Sequence, residues 1–141
     1  PLGGDTGFAS TIAAYEALSS GMQTYLSRLD IVHSYSGPGL PDHPTQSAVH
    51  PAIRTHPVSG KKGLYMNRMF ATRFVNMSEE ESRPVIDFID RHASSPEFSF
   101  RHRWQEGDLV MWDNRFSLHY PINDFTGHLR LLIRCTALET H

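Results

Sequence analysis

The stretch WDNRFSLHYPINDFTGHLRLLIRC, residues 112–135, has a strand-like pattern interrupted by residues that buried strands usually avoid. It predicts two strands separated by a turn, with His119 in the first strand and Arg130 and Arg134 in the second. Because side chains alternate along a strand, Arg130 and Arg134 share one face with Leu132. The opposite face is apolar and carries Leu129, Leu131, Ile133 and Cys135. We therefore expect both faces to be at least partly buried.

The length and composition fit one domain covering residues 1–141. Apolar residues make up 39% and charged residues 20%, which predicts a packed core and no extensive disorder. The net charge of −2 gives no basic surface, so we expect no nucleic-acid partner. No apolar run approaches the roughly 20 residues that a membrane-spanning helix needs, so we expect no membrane segment. The single cysteine cannot form an internal disulfide, which fits a reducing compartment and a cytoplasmic location.

Apolar residues in the first part of the chain recur at steps of three and four, which predicts one amphipathic helix. Ser10 or Thr11 would cap its start, and the pattern continues to Leu29. The stretch SGPGLPDHPTQ, residues 36–46, is rich in proline and glycine. It predicts a loop, of the kind that often forms a mobile lid near a site.

A second helix is predicted at SEEES, residues 78–82. Ser78 and Glu81 match a capping box, in which each side chain accepts a hydrogen bond from the other residue's backbone. Pro84 would then lie in the helix interior. Either the helix kinks at Pro84, or it starts late with Ser82 as its cap.

Strand candidates outnumber helix candidates and become dense toward the C-terminus. They are residues 30–35, 53–55, 63–66, 70–75, 98–104, 107–113, 116–120 and 129–138. The order is helix, strands, helix and then strands. It predicts an α+β fold that is mainly β, with a sheet sandwich or barrel toward the C-terminus.

The two arginines of the last predicted strand need anionic partners. A buried guanidinium loses several kcal/mol of hydration unless it is paired, and no acidic residue lies on the same strand face. Acidic residues on neighbouring strands would make structural ion pairs. Alternatively, a ligand carboxylate, sulfate or sulfonate would match the planar guanidinium. In a strand the Cα atoms of Arg130 and Arg134 would lie roughly 13 Å apart, enough for two different anions.

The histidines leave alternatives open as well. An isolated strand histidine such as His119 is more often an ordinary hydrogen-bonded residue than a metal ligand. His43, His50 and His56 lie in or beside the proline-rich loop, and their spacing matches no standard zinc pattern. A zinc hydrolase built on these three residues is the weakest alternative.

Motifs distributed over nearly the whole chain resemble the taurine dioxygenase family. These iron(II)- and 2-oxoglutarate-dependent oxygenases include the 2,4-dichlorophenoxyacetate enzymes. The motifs are GGDT at 3–6, AAYEALS at 13–19, HPAIRTHPVSGKKGLYMN at 50–67, FATR at 70–73, SEEES at 78–82, PEFSFRHRWQEGDLVMWDNR at 96–115 and HY at 119–120. The most specific match is the WDNR block, its histidine, and arginines 11 and 15 positions after that histidine. The chain resembles the C-terminal half to two-thirds of such an enzyme.

The resemblance implies a double-stranded β-helix, or jelly roll, with flanking helices, which would be incomplete in this chain. It also implies iron held by two histidines and a carboxylate, with positions left for 2-oxoglutarate and oxygen. By motif match, His119 resembles the distal iron ligand. Thr6 and Arg130 resemble the pair that binds the distal carboxylate of 2-oxoglutarate. Arg134 resembles the arginine that meets the substrate's anionic group, and Phe70 resembles an aromatic residue of the taurine pocket.

The chain departs from the family in one respect, because it contains no His-x-Asp or His-x-Glu. The resemblance places that motif upstream of GGDT, so we expect activity to require an upstream segment. We expect Fe(II) as cofactor, 2-oxoglutarate as cosubstrate, and a homo-oligomer.

The implied reaction uses oxygen to hydroxylate a small anionic substrate and releases succinate and CO2. A sulfonate such as taurine or a sulfate is favoured, and an aryloxy-carboxylate comes next. The alternative is a non-catalytic jelly-roll module that binds an anionic small molecule or a partner protein.

Overall fold

The computed structural model describes residues 3–35, 46–127 and 129–137. These residues form eight strands: β1 Thr6–Ser10, β2 Asp30–Tyr35, β3 Gln46–Pro51, β4 Ile53–Thr55, β5 Lys62–Leu64, β6 Ala71–Phe74, β7 Ser99–His102 and β8 Ser117–Pro121. The helices are α1 Thr11–Glu16, α2 Ser20–Leu26 and α3 Glu79–Ala93, with a short 3-10 helix at Pro96–Phe98. None of the helices in this described part of the chain is long and apolar enough to cross a membrane.

The strands form three antiparallel sheets. In the first sheet β1 lies between β7 and β8, and in the second sheet β2 lies between β3 and β6. The hairpin predicted around residues 53–66 is confirmed as the pair of β4 and β5. The predicted mixture of helices and a larger number of strands is also found, whereas the jelly-roll arrangement stays a prediction.

The first sheet has two distinct faces. Thr6 lies opposite Pro121 and Phe8 lies opposite His119, and directly opposed residues point to the same side of an antiparallel pair. Thr6, Phe8 and His119 therefore share one face. On the other face the Tyr120 ring lies on Gly7, where an added Cβ would overlap the ring. Only glycine leaves room for this close approach.

The hydrophobic core lies between the second sheet, the β4–β5 hairpin and the helices. Its largest fully buried apolar side chains are Leu26, Ile31, Leu64, Phe74, Ile86 and Ile89. Each such side chain stabilises the fold by about 1.5–3 kcal/mol relative to leaving it in water. Leu118 of β8 packs against this core, so the core also contacts the first sheet.

The single helix predicted from Ser10 to Leu29 is wrong, because the chain forms two short helices there. Ser10 caps α1 by accepting the Ala13 N–H. Ser19 caps α2 by accepting the Met22 N–H. A hydroxyl that accepts a first-turn N–H marks the start of a new helix. The apolar pattern therefore runs through two helices and the break between them. The residues just before α1 form β1, a strand that the sequence analysis did not predict.

The capping box at the start of α3 is confirmed. The Ser78 hydroxyl accepts the Glu81 N–H, and the Glu81 carboxylate accepts the Ser78 N–H. Pro84 lies inside the helix, so the alternative of a late start capped by Ser82 is wrong. Ser82 is instead buried, where its hydroxyl donates to the Ser78 carbonyl and accepts the Phe74 N–H.

Two predicted C-terminal strands are not formed. Residues 107–113 follow a turn without regular structure, and the described residues 129–137 have none either. The expectation that 129–135 is buried on both faces is also wrong, because Leu129 and Ile133 are 95% and 96% exposed. A strand is held by hydrogen bonds to a neighbour, and no described strand pairs with either segment. The predicted loop 36–46 lies almost wholly outside the described residues.

Replacing Ser82 by alanine tests the link between α3 and β6. The substitution leaves the buried Phe74 N–H without its acceptor, so we expect the free energy of unfolding to fall by about 1–3 kcal/mol. Urea denaturation measures this change. Ser94→Ala is the control, because the exposed Ser94 hydroxyl donates to a helix-end carbonyl that water can also satisfy. Equal losses in the two variants would contradict the assignment.

Candidate functional site

The site begins at the turn that leads into β1. Gly3 and Gly4 have φ angles of +102° and +74°, a left-handed backbone that glycine adopts without strain. The Asp124 carboxylate accepts the Gly4 N–H at 2.7 Å, and the Gly4 carbonyl accepts Arg130 Nε at 2.6 Å. A Cβ on Gly4 would lie 2.9 Å from Arg130 Cδ. The arginine therefore reaches the turn because no side chain lies between them.

The carboxylates beside this turn are bound by a different arginine. Arg101 Nε donates to buried Asp5 at 2.5 Å, and Arg101 Nη2 donates to Asp124 at 2.9 Å. The Gly4 N–H, followed by Arg101, lowers the pKa of Asp124. Within the described ranges, no carboxylate lies within ion-pair distance of Arg130 or Arg134. The structural ion pairs considered for these two arginines are therefore not seen there.

Arg130 ends on Thr6. Its Nη2 lies 3.2 Å from Thr6 Oγ1, and the Trp104 indole N–H donates to the same oxygen at 2.9 Å. The Phe125 ring lies beside the guanidinium, with its centroid 5.7 Å from Cζ. Thr6 is only 7% exposed. The structure thus brings Thr6 and Arg130 together, whereas their role toward a carboxylate stays a prediction.

Arg134 ends on His119. Its Nη1 lies 3.4 Å from His119 Nε2, and its guanidinium lies over the Trp112 ring at 5.5 Å. The His119 ring packs beside Trp112 and Phe8, with centroid distances of 5.1 Å and 6.3 Å. Partial burial, and then the charge of Arg134, lower the pKa of His119. A neutral imidazole can present an unprotonated nitrogen to a metal ion.

These two pairs of side chains occupy neighbouring places on one face of the first sheet. Phe8 is the cross-strand partner of His119, and Thr6 lies two residues before Phe8. The Cα atoms of Thr6 and Phe8 therefore lie about 7 Å apart along β1. The arginines reach them from a segment without regular structure. The predicted 13 Å spacing rested on a strand that is not formed, yet Arg130 and Arg134 still end at different places.

Phe70 lies in another part of the fold. It immediately precedes β6 in the second sheet, where its carbonyl accepts the Ser34 N–H at 2.8 Å. The contacts given above for Thr6 and His119 are with other residues. The role of Phe70 in a substrate pocket therefore stays a prediction.

A further set of contacts fixes the turn that precedes β8. Arg115 holds the Asp113 carboxylate, with an Nη2–Oδ2 distance of 2.8 Å. His56 Nε2 lies 3.5 Å from the same oxygen, and the His56 ring stacks on Phe116 at 4.9 Å. Phe116 in turn lies against Gly63 of β5. The β4–β5 hairpin is thereby tied to the strand that carries His119.

The histidines do not converge on a metal site within the described residues. Among the described residues, no three or more of His, Cys, Asp and Glu are placed to hold a metal ion together. Of the zinc alternative, His43 lies outside the described residues. His50 packs against His33 and Tyr65, whereas His56 contacts Asp113. His50 and His56 thus have separate surroundings, and the structure gives this alternative no support.

The sequence analysis missed Trp104 and Trp112 as site residues. Both lie within the 96–115 motif, which carries the family resemblance as a block. Their indole rings contact Thr6 and His119 respectively. The signal that could have found them is the presence of two tryptophans in a stretch that also precedes the site histidine.

Comparison with known proteins places this arrangement in a family. The family model described as "Taurine catabolism dioxygenase TauD, TfdA family" matches residues 1–136. The chain belongs to this family. Its membership, predicted from the motifs, is thereby confirmed.

Individual relatives agree with this assignment. The alpha-ketoglutarate-dependent sulfonate dioxygenase of Saccharomyces cerevisiae is 35% identical over 132 residues, which cover 87% of this chain and 32% of that protein. The alpha-ketoglutarate-dependent 2,4-dichlorophenoxyacetate dioxygenase of Cupriavidus pinatubonensis is 35% identical over 151 residues, covering 99% and 52%. The crystal structure of AAD-2 in complex with Mn(II) and N-oxalylglycine matches with a TM-score of 0.80 and 32% identity, covering 92% of this chain and 55% of that one. The chain thus spans about half or less of the length of these curated relatives.

The pH dependence of stability tests the contact between Asp113 and Arg115, which precedes β8. The hydrogen bonds from Arg115 are the main cause of the lowered pKa of Asp113. Ionised Asp113 therefore stabilises the fold above its unfolded pKa of about 4, and this contribution is lost as the pH falls through the lower folded value. We expect Asp113→Asn to lose less stability than the wild type between neutral and acidic pH. Urea unfolding over a pH series measures the difference.

The control for this titration is Glu106→Gln, which changes an exposed carboxylate in a turn outside the Asp113–Arg115 contact. It should keep the wild-type dependence on pH. If Asp113→Asn followed the wild-type curve as well, the Asp113–Arg115 pair would not contribute to stability.

Proposed function

We propose that this chain supplies the 2-oxoglutarate and substrate anion sites of an Fe(II)- and 2-oxoglutarate-dependent dioxygenase. One observation carries the proposal: Arg130 and Arg134 end on two different groups of one sheet face, Thr6 and His119. An enzyme with an anionic cosubstrate and an anionic substrate needs two such cationic ends. Because the chain spans about half or less of its relatives, the activity is assigned to the complete protein.

The cosubstrate site is proposed at Thr6 and Arg130. Arg130 uses Nε on the Gly4 carbonyl and Nη2 on Thr6, and among the described residues Nη1 has no acceptor. The distal carboxylate of 2-oxoglutarate would accept from Nη1 and from the Thr6 hydroxyl. A hydrogen bond to a charged group contributes about 1.5–3 kcal/mol, so two such bonds would account for firm binding.

His119 is the residue of this chain that would hold iron. When bound, the iron supplies the oxidative chemistry that converts 2-oxoglutarate to succinate and CO2 and hydroxylates the substrate. The described residues fit this metal at one coordination position. His119 is the candidate, because the other imidazole of this face, His102, contacts Asp108 through Nε2, and no three-ligand group is found among the described residues. A facial triad needs two further ligands, which we assign to the rest of the protein.

The substrate's anionic group is proposed to bind Arg134. The guanidinium is exposed at the surface of the sheet face, and its planar donors suit the oxygens of a sulfonate, a sulfate or a carboxylate. Trp112 provides an apolar surface beside it for the organic part of a small substrate. The relatives include a sulfonate dioxygenase and a 2,4-dichlorophenoxyacetate dioxygenase at the same 35% identity, so sulfonates and aryloxy-carboxylates are both candidate substrates.

The cosubstrate assignment is tested by Arg130→Ala and Thr6→Val in the complete protein. Removing one partner of a buried charge pair costs up to about 3–5 kcal/mol, so Arg130→Ala should raise the apparent 2-oxoglutarate requirement by orders of magnitude. Thr6→Val removes a single hydrogen bond to a charge and should cost about 1–3 kcal/mol. Succinate formation and calorimetric titration measure both effects. Unchanged 2-oxoglutarate affinity in both variants would refute the assignment.

The substrate assignment is tested by two changes at Arg134. Arg134→Ala should keep 2-oxoglutarate binding but lose substrate-stimulated succinate formation, because the substrate's charge has lost its partner. Arg134→Lys keeps the charge and loses the planar pair of donors, so it should weaken substrate binding less than alanine does. Separate titrations of 2-oxoglutarate and taurine measure the two affinities.

The outcomes separate the candidate functions. If Arg134→Ala loses 2-oxoglutarate binding and Arg130→Ala loses only substrate binding, the roles of the two arginines are reversed. If the complete wild-type protein binds both anions and never forms succinate, the chain belongs to a non-catalytic binding module.

A further inference from the structure

We propose that Trp104 is a positioning residue that fixes the Thr6 hydroxyl as a hydrogen-bond donor and thereby makes the site selective for an ionised carboxylate. The inference rests on the proposed function and deepens it. Trp104 itself does not need to touch the cosubstrate. It acts through the oxygen of Thr6.

Two hydrogen bonds reach the Thr6 oxygen. The Trp104 indole N–H lies 2.9 Å from Thr6 Oγ1, and Arg130 Nη2 lies 3.2 Å from it. An indole N–H and a guanidinium can only donate, whereas a hydroxyl can accept twice and donate once. Both accepting directions of the Thr6 oxygen are therefore used. The remaining direction carries its own hydrogen.

The hydrogen left on Thr6 has no acceptor among the described residues. Because Thr6 is 7% exposed, solvent has little access to this group. A buried donor without an acceptor is unfavourable, and an anionic oxygen would satisfy it. The oxygen of Thr6 is thus prepared to donate to a ligand and not to accept from one.

The indole is held in place by the turn that follows β7. The ring of His102 meets the Trp104 ring edge to face, at 4.7 Å between centroids. His102 Nε2 lies 3.0 Å from an Asp108 carboxylate oxygen, which also accepts the Gln105 N–H at 3.0 Å. His102 is also the residue that pairs with Thr6 across β1 and β7. The turn therefore sets the direction of the indole N–H relative to Thr6.

This arrangement has a consequence for ligand selection. Next to Arg130 and a donating Thr6, both ligand oxygens must be acceptors, as they are in a carboxylate. A carboxamide would direct its NH2 group at a donor. If Trp104 stopped donating, one lone pair of the Thr6 oxygen would be released. The hydroxyl could then rotate and accept from a carboxamide.

The test separates the indole N–H from the indole ring. Trp104 is replaced by 3-benzothienylalanine, which keeps the bicyclic ring and exchanges N–H for sulfur, and by phenylalanine as a genetically encoded counterpart. The complete protein is loaded with Mn(II). Its affinities for N-oxalylglycine and for the analogue with a carboxamide in place of the distal carboxylate are measured by calorimetry.

We expect the benzothienyl variant to bind N-oxalylglycine about two- to tenfold more weakly, as the loss of one neutral hydrogen bond predicts. Its affinity for the carboxamide should stay the same or improve, so the preference for carboxylate should fall. A role in packing alone would weaken both probes by the same factor. An unchanged preference in the benzothienyl variant would overturn the inference.

A double-variant cycle with Thr6→Val gives a second, independent measurement. Without the hydroxyl, loss of the indole N–H should have no further effect on either probe. An effect as large as in the Thr6 protein would overturn the inference.

Arg130→Ala distinguishes failure of the proposed function from failure of this inference. If Arg130→Ala leaves N-oxalylglycine binding unchanged, the proposed function fails. If Arg130→Ala weakens that binding but the Trp104 variants keep the wild-type preference for carboxylate over carboxamide, only this inference fails.

Discussion

The antiparallel pairing of β1 with β8 is the interaction on which the candidate site depends. It joins the first strand of the chain to the last described strand and places Phe8 opposite His119. A slip by one residue would turn His119 to the opposite face of the sheet. Tyr120 opposes such a slip, because its ring lies closely against Gly7 and would meet a Cβ at either neighbour, Thr6 or Phe8. The register, and with it the direction of the site histidine, is therefore set by a backbone ladder and one glycine.

Charge is divided among the arginines of this region in a way that leaves two of them without a carboxylate partner among the described residues. Arg101 takes both nearby carboxylates, Asp5 and Asp124, on the side of the turn away from the site. Arg130 and Arg134 end on neutral groups within the described part of the chain. A partly buried guanidinium with neutral partners retains attraction for an anion that an ion pair would have cancelled. The acidic residues near the site thus support its geometry without neutralising it.

The sequence predicted the elements whose signals are local, and missed those that depend on distant partners. The capping box at Ser78 and the hairpin near residues 53–66 follow from short-range chemistry, and both are found. Residues 107–113 and 129–137 have strand-like patterns, but a pattern cannot show whether a neighbouring strand is present to pair with them. The motif match identified Thr6, His119 and the two arginines, and the structure brings them to one face. The donor from Trp104 to Thr6 connects residues far apart in sequence, so no spacing rule could reveal it.

The two arginines are held with unequal firmness, and this difference suits their proposed roles. Arg130 binds the Gly4 carbonyl and the Thr6 hydroxyl and lies beside Phe125, so its direction is fixed by several contacts. Arg134 makes one long hydrogen bond of 3.4 Å to His119 Nε2, from an exposed segment. That nitrogen has a single lone pair, so it can serve Arg134 or a metal ion but not both at once. Under the proposed function, metal binding at His119 would release Arg134 to the substrate's anion, while Arg130 stays on the cosubstrate site.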